Sequence, residues 1–429
     1  MQAGFHHTDI TPTTLPIRTY LGEAAAVMDP LSAQAAAFGD ERTLFTMVCL
    51  DVVIIEAHLV ADIRSRVASQ RDIPPGHILV CTTHNHACPA VISRPSFAKD
   101  EEYIEFLCER AAEAVVGAID RLEPARIATG SGLEHRVSFN RRFITRDDCI
   151  VSQPTGGALT RVLCNENVVD PELGVLRVQS EAGQDLGVLV NFGCHAVHHM
   201  GQLSAGYPGV LRDRLQEQLG ENCQVVFLNG PCGNIFHGNF LDPHLKDTKE
   251  RTGSMLAETT MRILDGMPKP ADASVGVTSC TLRVAYRDFE QAERDFADPD
   301  VQGNVFQSLI QRGWYDYAAL QAMAREREGG EDVEVQVFRL GKTGFAAMPA
   351  EYFMEFGLRI KQESPFDRTY VVSLANGWVG YIPTQEAFAR KGGHETTTAL
   401  WSKMRHDAGD QMASTALDLL QGLHAETQS

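Results

Sequence analysis

The sequence predicts an α/β fold in which a mixed β-sheet core is flanked by helices and the active site lies at strand carboxyl ends. Three observations lead there. Short apolar runs of strand length alternate with stretches whose apolar residues recur at helical spacing. Composition is that of an ordinary folded domain, with 44% hydrophobic and 22% charged residues. Histidines and other chemistry-bearing residues repeatedly stand just past an apolar run, where open α/β sheets bind their ligands.

A chain of 429 residues can bury a substantial core. One domain over 1–429 is expected, with a helical insertion at about 286–330, a stretch with little core-forming periodicity of its own. The net charge of −18 opposes nucleic acid and anionic membranes. The N-terminus has no basic segment followed by an apolar one, and the apolar runs are too short to cross a bilayer. A cytoplasmic protein acting on a small molecule is therefore expected, without stable membrane association and with homo-oligomerisation left open. Ten cysteines without a CxxC exclude a cysteine zinc finger and suit free buried thiols.

The first strand is expected over 43–55, apolar except for Thr46 and Asp51. A carboxylate within such a run needs a partner, either an arginine or loop amide, or a histidine that itself binds metal. A helix over 58–70 follows, and Pro74-Pro75-Gly76 breaks the chain before a strand over 77–83. That strand runs into Cys81-Thr82-Thr83-His84-Asn85-His86. Side chains alternate across a strand, so His84 and His86 are expected on one face, where two neutral imidazoles suit a transition metal such as zinc. The bland alternative is one surface and one core histidine.

A long helix over 101–122 has a packing face, and 137–143 ends a candidate strand containing Asn140-Arg141-Arg142. On its residues alone that cluster reads as a solvated turn, although a guanidinium aimed at a carboxylate or oxyanion is the functional alternative. Strands over 174–178 and 186–192 pair through a turn at 181–184, and the second runs into His195, His198 and His199. At least one of those three is expected to be a ligand. A helix from Tyr207 to Leu219 and a strand over 224–228 lead to the glycine-rich turn Asn229 to Asn234, which lacks the lysine and spacing of a phosphate loop. After a helix over 246–265 come a strand over 275–284, a hairpin over 333–340 and 343–348, Glu351 at a strand-to-helix junction, and a helix over 353–361. A strand over 370–374 then enters an aromatic, glycine-punctuated loop containing Tyr381, and a helix over 397–423 closes the chain.

His84 and His86, the His195 cluster, the Asn229 turn, Glu351 and Tyr381 thus share a position after a strand. Two histidines and a carboxylate form a common catalytic zinc set, suited to amide or ester hydrolysis. Thr83-His84-Asn85-His86-Ala87-Cys88-Pro89, Asn140-Arg141-Arg142, Ser204-Ala205-Gly206-Tyr207-Pro208-Gly209, Gly230-Pro231-Cys232-Gly233-Asn234-Ile235 and Pro349-Ala350-Glu351 occur in that order. In these motifs the chain resembles the catalytic domain of the neutral/alkaline non-lysosomal ceramidases. It departs from the family at Asn85, Ala87, Cys88, Gly206 and Asn234.

The resemblance implies Zn2+ held by His84, His195, Glu351 and Tyr381, with His86 and Arg141 facing the substrate or the reacting centre. It reverses the solvated-turn reading of Arg141 and leaves His198 and His199 outside the ligand set. No counterpart of the family's C-terminal immunoglobulin-like domain or secretory signal is expected. The expectation is therefore a ceramidase-like, zinc-dependent amidase cleaving a C–N bond in a small soluble N-acyl compound. Its catalytic residues would be His86, Arg141 and Tyr381. Zinc-dependent hydrolysis of an ester, lactone or other polar bond, a TIM-barrel amidohydrolase and a non-catalytic metal-binding homologue are the alternatives.

Overall fold

The computed structural model describes residues 1–20, 22–93, 98–166, 169–198, 201–242, 244–290 and 317–426. Its centre is a mixed eight-stranded sheet in the order Gln224–Asn229, Asp185–Phe192, Glu172–Ser180, Glu123–Leu133, Gln2–Asp9, Ser32–Gly39, Leu44–Leu50 and Ile78–Thr82. The outermost pair at each edge is parallel and the inner pairs are antiparallel. A TIM barrel requires eight parallel strands, so that alternative falls.

A second sheet, in the order Val275–Ala285, Gly330–Leu340, Thr343–Met348 and Arg368–Ser373, stacks on one face of the first. Phe45 lies against Phe338 with ring centroids 4.4 Å apart, and Phe5, Phe38, Leu79, Phe345 and Tyr370 fill the same layer. Helices cover both outer faces. Ala57–Ala68 and Glu101–Ile119 pack on one half of the large sheet, and Gly206–Leu219 and Lys249–Asp265 on the other. Met354–Glu363 and Ala408–Ala425 cover the small sheet. The result is four layers, helix on sheet on sheet on helix, with apolar surface buried at three levels.

Gln2–Asp9 and Ser32–Gly39 are central strands that the apolar pattern does not announce. They are rich in Ala, Gly and His because helix Glu101–Ile119 lies close above them: a Cβ on Gly4 would stand 2.2 Å from the Ala118 carbonyl oxygen. The expected closing helix is shorter than its sequence suggested and starts at Ala408. Tertiary pairing takes the preceding segment: the Trp401 carbonyl accepts from the Tyr381 amide at 2.6 Å, and Ser402 and Met404 bridge to Gly380 and Tyr286. Most of the insertion expected at about 286–330 lies outside the described residues, apart from a helix at Tyr317–Glu326. No helix among the described residues is long and apolar enough to cross a membrane.

The site is positioned by a seam. Although they are opposite edges of the large sheet, Ile78–Thr82 and Gln224–Asn229 meet at their carboxyl ends, where the Asn229 side chain donates to the Thr83 carbonyl at 3.4 Å. Asn85 forms a parallel bridge with Ala196, and the His86 amide donates to the Ala196 carbonyl at 3.0 Å. The small sheet joins at the same place: Asn376 takes the Val80 amide on its side-chain oxygen (3.0 Å) and gives its own amide to the Val80 carbonyl (2.7 Å). The open edge of Ile78–Thr82 is thereby paired.

Candidate metal centre

His84 lies two residues beyond its strand, with a left-handed backbone (φ 61°) that is unusual for a residue with a side chain. Strand alternation therefore does not aim the two imidazoles. The turn does, bringing the His84 and His86 rings to a centroid distance of 4.7 Å at 82°. His195 arrives from the strand Asp185–Phe192, its ring 4.4 Å from that of His84. Glu351 and Tyr381 are register partners in a two-stranded parallel ladder, Glu351–Tyr352 with Tyr381–Ile382, so one pairing fixes both. Glycine makes the approach of the Asn229 turn possible: a Cβ on Gly233 would stand 2.5 Å from the Glu351 carbonyl oxygen.

The ring nitrogens can be assigned from their partners. His84 Nδ1 donates to the Val53 carbonyl at 2.8 Å, and His195 Nδ1 donates to the Cys232 carbonyl at 2.7 Å. A carbonyl only accepts, so each Nδ1 carries the proton and each Nε2 lone pair points inward. There both Nε2 atoms face Glu351 Oε2, at 3.4 and 3.3 Å. Tyr381 Oη lies 3.4 Å from His195 Nε2, and His86 Nε2 lies 3.3 Å from His84 Nε2. Several acceptors converging in a buried pocket call for a cation between them. The nitrogen and oxygen donors fit zinc, and the carbonyl partners on the outer nitrogens are the support that metal-binding imidazoles ordinarily have. His84, His86 and His195 also form a cluster whose ring nitrogens can hold a metal.

Electrostatics follow from burial and these neighbours. Burial opposes the Glu351 charge, but the facing His84 and His195 edges, when they carry protons in place of a metal, outweigh it and hold the carboxyl well below its ordinary range. Burial first, and then the neighbouring His84 ring, lowers His86 well below the usual histidine value and keeps that ring neutral. Tyr381 is pushed well above its ordinary value, first by burial and then by Glu351, so its hydroxyl is protonated in the metal-free pocket. A divalent cation held there would act in the opposite direction.

Arg141 is 2% exposed, contrary to a solvated turn. One of its terminal nitrogens donates to the Gly233 carbonyl at 2.7 Å, to Tyr381 Oη at 3.1 Å and to His394 Nε2 at 3.3 Å, while its Nε pairs with Glu395 at 2.9 Å. Glu395 also accepts from Arg142 (2.8 Å) and Ser152 (2.6 Å) and stands 3.3 Å from His394 Nδ1. Burial takes His394 down to about 4, so the ring is neutral and its Nε2 accepts from Arg141. The Trp378 indole donates to Glu351 Oε1 at 3.1 Å, leaving Oε2 for the histidine side.

Sequence reasoning passed over His394, Glu395 and the role of Trp378. Only Gly392-Gly393 marks the first two, because no apolar strand leads into them. Asp51 takes its structural alternative: both its oxygens accept from Arg212, at 3.0 and 2.6 Å, and the His84 ring uses the Val53 carbonyl instead. His198 lies in a neighbouring cluster, and His199 lies outside the described residues.

No protein-family model and no curated protein sequence matches this chain. Solved structures do. The neutral ceramidase from Pseudomonas aeruginosa aligns with a TM-score of 0.72 over 98% of this chain and 75% of its own, at 16% identity. The chain has the neutral ceramidase fold. A ceramidase complexed with C2 aligns with a TM-score of 0.75 over 99% of this chain and 75% of its own, at 15% identity. The neutral ceramidase fold therefore carries, at the strand carboxyl ends of this chain, a histidine-rich pocket able to bind a metal.

Proposed function

We propose that this chain is a zinc-dependent amidase that hydrolyses the C–N bond of a small soluble N-acyl compound. The observation that carries the reading is the convergence of the His84 and His195 Nε2 lone pairs on Glu351 Oε2 beside the Tyr381 hydroxyl. His84, His195, Glu351 and Tyr381 would hold the ion. Bound zinc supplies Lewis acidity, polarising a carbonyl and acidifying water.

The remaining steps belong to the chain's own residues. His86, neutral and the least enclosed of the three clustered rings, accepts the proton of attacking water and returns it to the leaving amine. Arg141 keeps a fixed positive charge on Tyr381 Oη, so that the phenol and guanidinium together stabilise negative charge developing on the carbonyl oxygen. Glu395 and the Gly233 carbonyl hold the guanidinium in place, and His394 orients the phenol. The likeness to ceramidases, which share the fold, favours an amide over an ester.

The test is metal content and turnover together. Wild-type protein loaded with zinc should hydrolyse members of a panel of N-acyl amines and amino acids faster than matched O-acyl esters. Glu351→Gln should lose both the pocket's zinc and activity. Full activity in Glu351→Gln, or esters preferred throughout, would reject the reading.

A further inference from the structure

Outside the pocket, three more chemistry-bearing side chains meet. His198 lies three residues past His195, His237 follows the short strand Ile235–Phe236, and Asp247 precedes the helix Lys249–Asp265. The two imidazoles stack with centroids 3.7 Å apart and planes 22° from parallel. Their same-side edges face one carboxylate: His198 Nε2 is 3.2 Å from Asp247 Oδ1, and His237 Nδ1 is 2.5 Å from Oδ2. Flanking aromatics brace both rings, Tyr207 edge-on to His198 at 5.8 Å and Phe236 beside His237 at 4.0 Å.

The outer nitrogens, His198 Nδ1 and His237 Nε2, are buried and have no hydrogen-bond partner among the described residues. Protonating both rings stacks two like charges at 3.7 Å, while keeping both neutral leaves two buried lone pairs unused. One divalent cation in place of the two inner protons removes the first conflict. It meets two imidazole nitrogens and a carboxylate oxygen that all lie within 4.8 Å of one another. Such a donor set suits a first-row transition metal rather than calcium or magnesium.

We propose that His198, His237 and Asp247 form a second transition-metal site, weaker than the His84–His195–Glu351 centre. The ranking comes from the outer nitrogens. In the first centre both donate to backbone carbonyls, whereas here they must find water. Support of that kind is worth about ten- to a hundredfold in metal affinity. The second site does not depend on the amidase reading.

The full-length chain, loaded with zinc and dialysed against graded chelator, tests this by metal count. Wild type should hold two zinc ions per chain and release one at about ten- to a hundredfold weaker chelation than the other. Asp247→Asn, and separately His237→Gln should the first variant fold poorly, should lack the early-released ion and keep the late one. Glu351→Gln should do the reverse. A wild-type chain holding one ion that both variants retain would overturn the second site and leave a hydrogen-bonded triad. Two ions retained by Asp247→Asn and His237→Gln alike would overturn it too. If Glu351→Gln keeps both ions while Asp247→Asn loses one, the second site stands and the first-centre reading fails.

Discussion

Replacing Trp378 by Phe removes one atom group that the metal-centre argument depends on while keeping an aromatic ring in the loop. The indole N–H donates to Glu351 Oε1 at 3.1 Å, and Glu351 is 4% exposed, so water cannot readily take its place. A hydrogen bond to a buried charged group contributes about 1.5–3 kcal/mol. Losing a partner that orients a metal ligand weakens binding about ten- to a hundredfold, or about 1.4–2.8 kcal/mol, so the two scales agree. A further contact of the ring, the Lys403 ammonium 5.3 Å from its centroid, is with the aromatic face and survives in Phe. Competition between the apo-protein and a chromophoric chelator measures the zinc dissociation constant directly. Trp378→Phe should bind about ten- to a hundredfold more weakly and remain folded, with the His198 cluster unaffected. An unchanged dissociation constant in a folded variant would refute the claim that Glu351 is positioned through Trp378.

Arg141→Lys keeps a charge but cannot reach the Gly233 carbonyl, Tyr381, His394 and Glu395 at once; kcat should fall about 10²–10³-fold with zinc content retained, as steady-state kinetics beside metal analysis would show. Asp51→Asn leaves the Arg212 charge buried without its carboxylate and should cost about 3–5 kcal/mol in chemical denaturation, whether or not zinc is present. Asp29 is depressed: burial raises it, but Lys249 and Ser204 hydrogen bonds outweigh that. A depressed acid stabilises the fold above its unfolded value of 3.8 and loses that contribution as pH falls through its folded value. The stability gap between wild type and Asp29→Asn should therefore be full near neutrality and shrink below pH 3.8. Burial pushes the Cys88 thiol up to about 12, so a thiol reagent at pH 8 should label exposed Cys164 and Cys280 quickly and Cys88 only after unfolding.

The site was legible wherever an apolar strand delivered a residue to the seam. Ile78–Thr82, Asp185–Phe192 and Thr343–Met348 are runs buried along most of their length, and His84, His195 and Glu351 stand at their ends. Trp378 and His394 come from loops whose path is set by pairing with distant segments, which leaves no period to read. The partners of His198 were hidden for the same reason. Local composition also misled where tertiary packing reversed its preference. Alanine-rich Ser32–Gly39 forms a central strand because only small side chains fit beneath a helix, and the helix-like segment before Ala408 spends its backbone hydrogen bonds on Gly380 and Tyr381.

The seam has a consequence for the order of events during folding. Its residues come from positions 84, 195, 351 and 381, so no fragment short of the last quarter of the chain contains the whole cluster. Contacts this far apart in sequence form slowly, because long loops must close before any of them is rewarded. On a ribosome the early strands can pair and wait, but the pocket closes only when Tyr381 and the Trp401 segment that anchors it have emerged. Metal capture is therefore a late event, and its time course after release of the chain would act as a clock for the final stage of assembly.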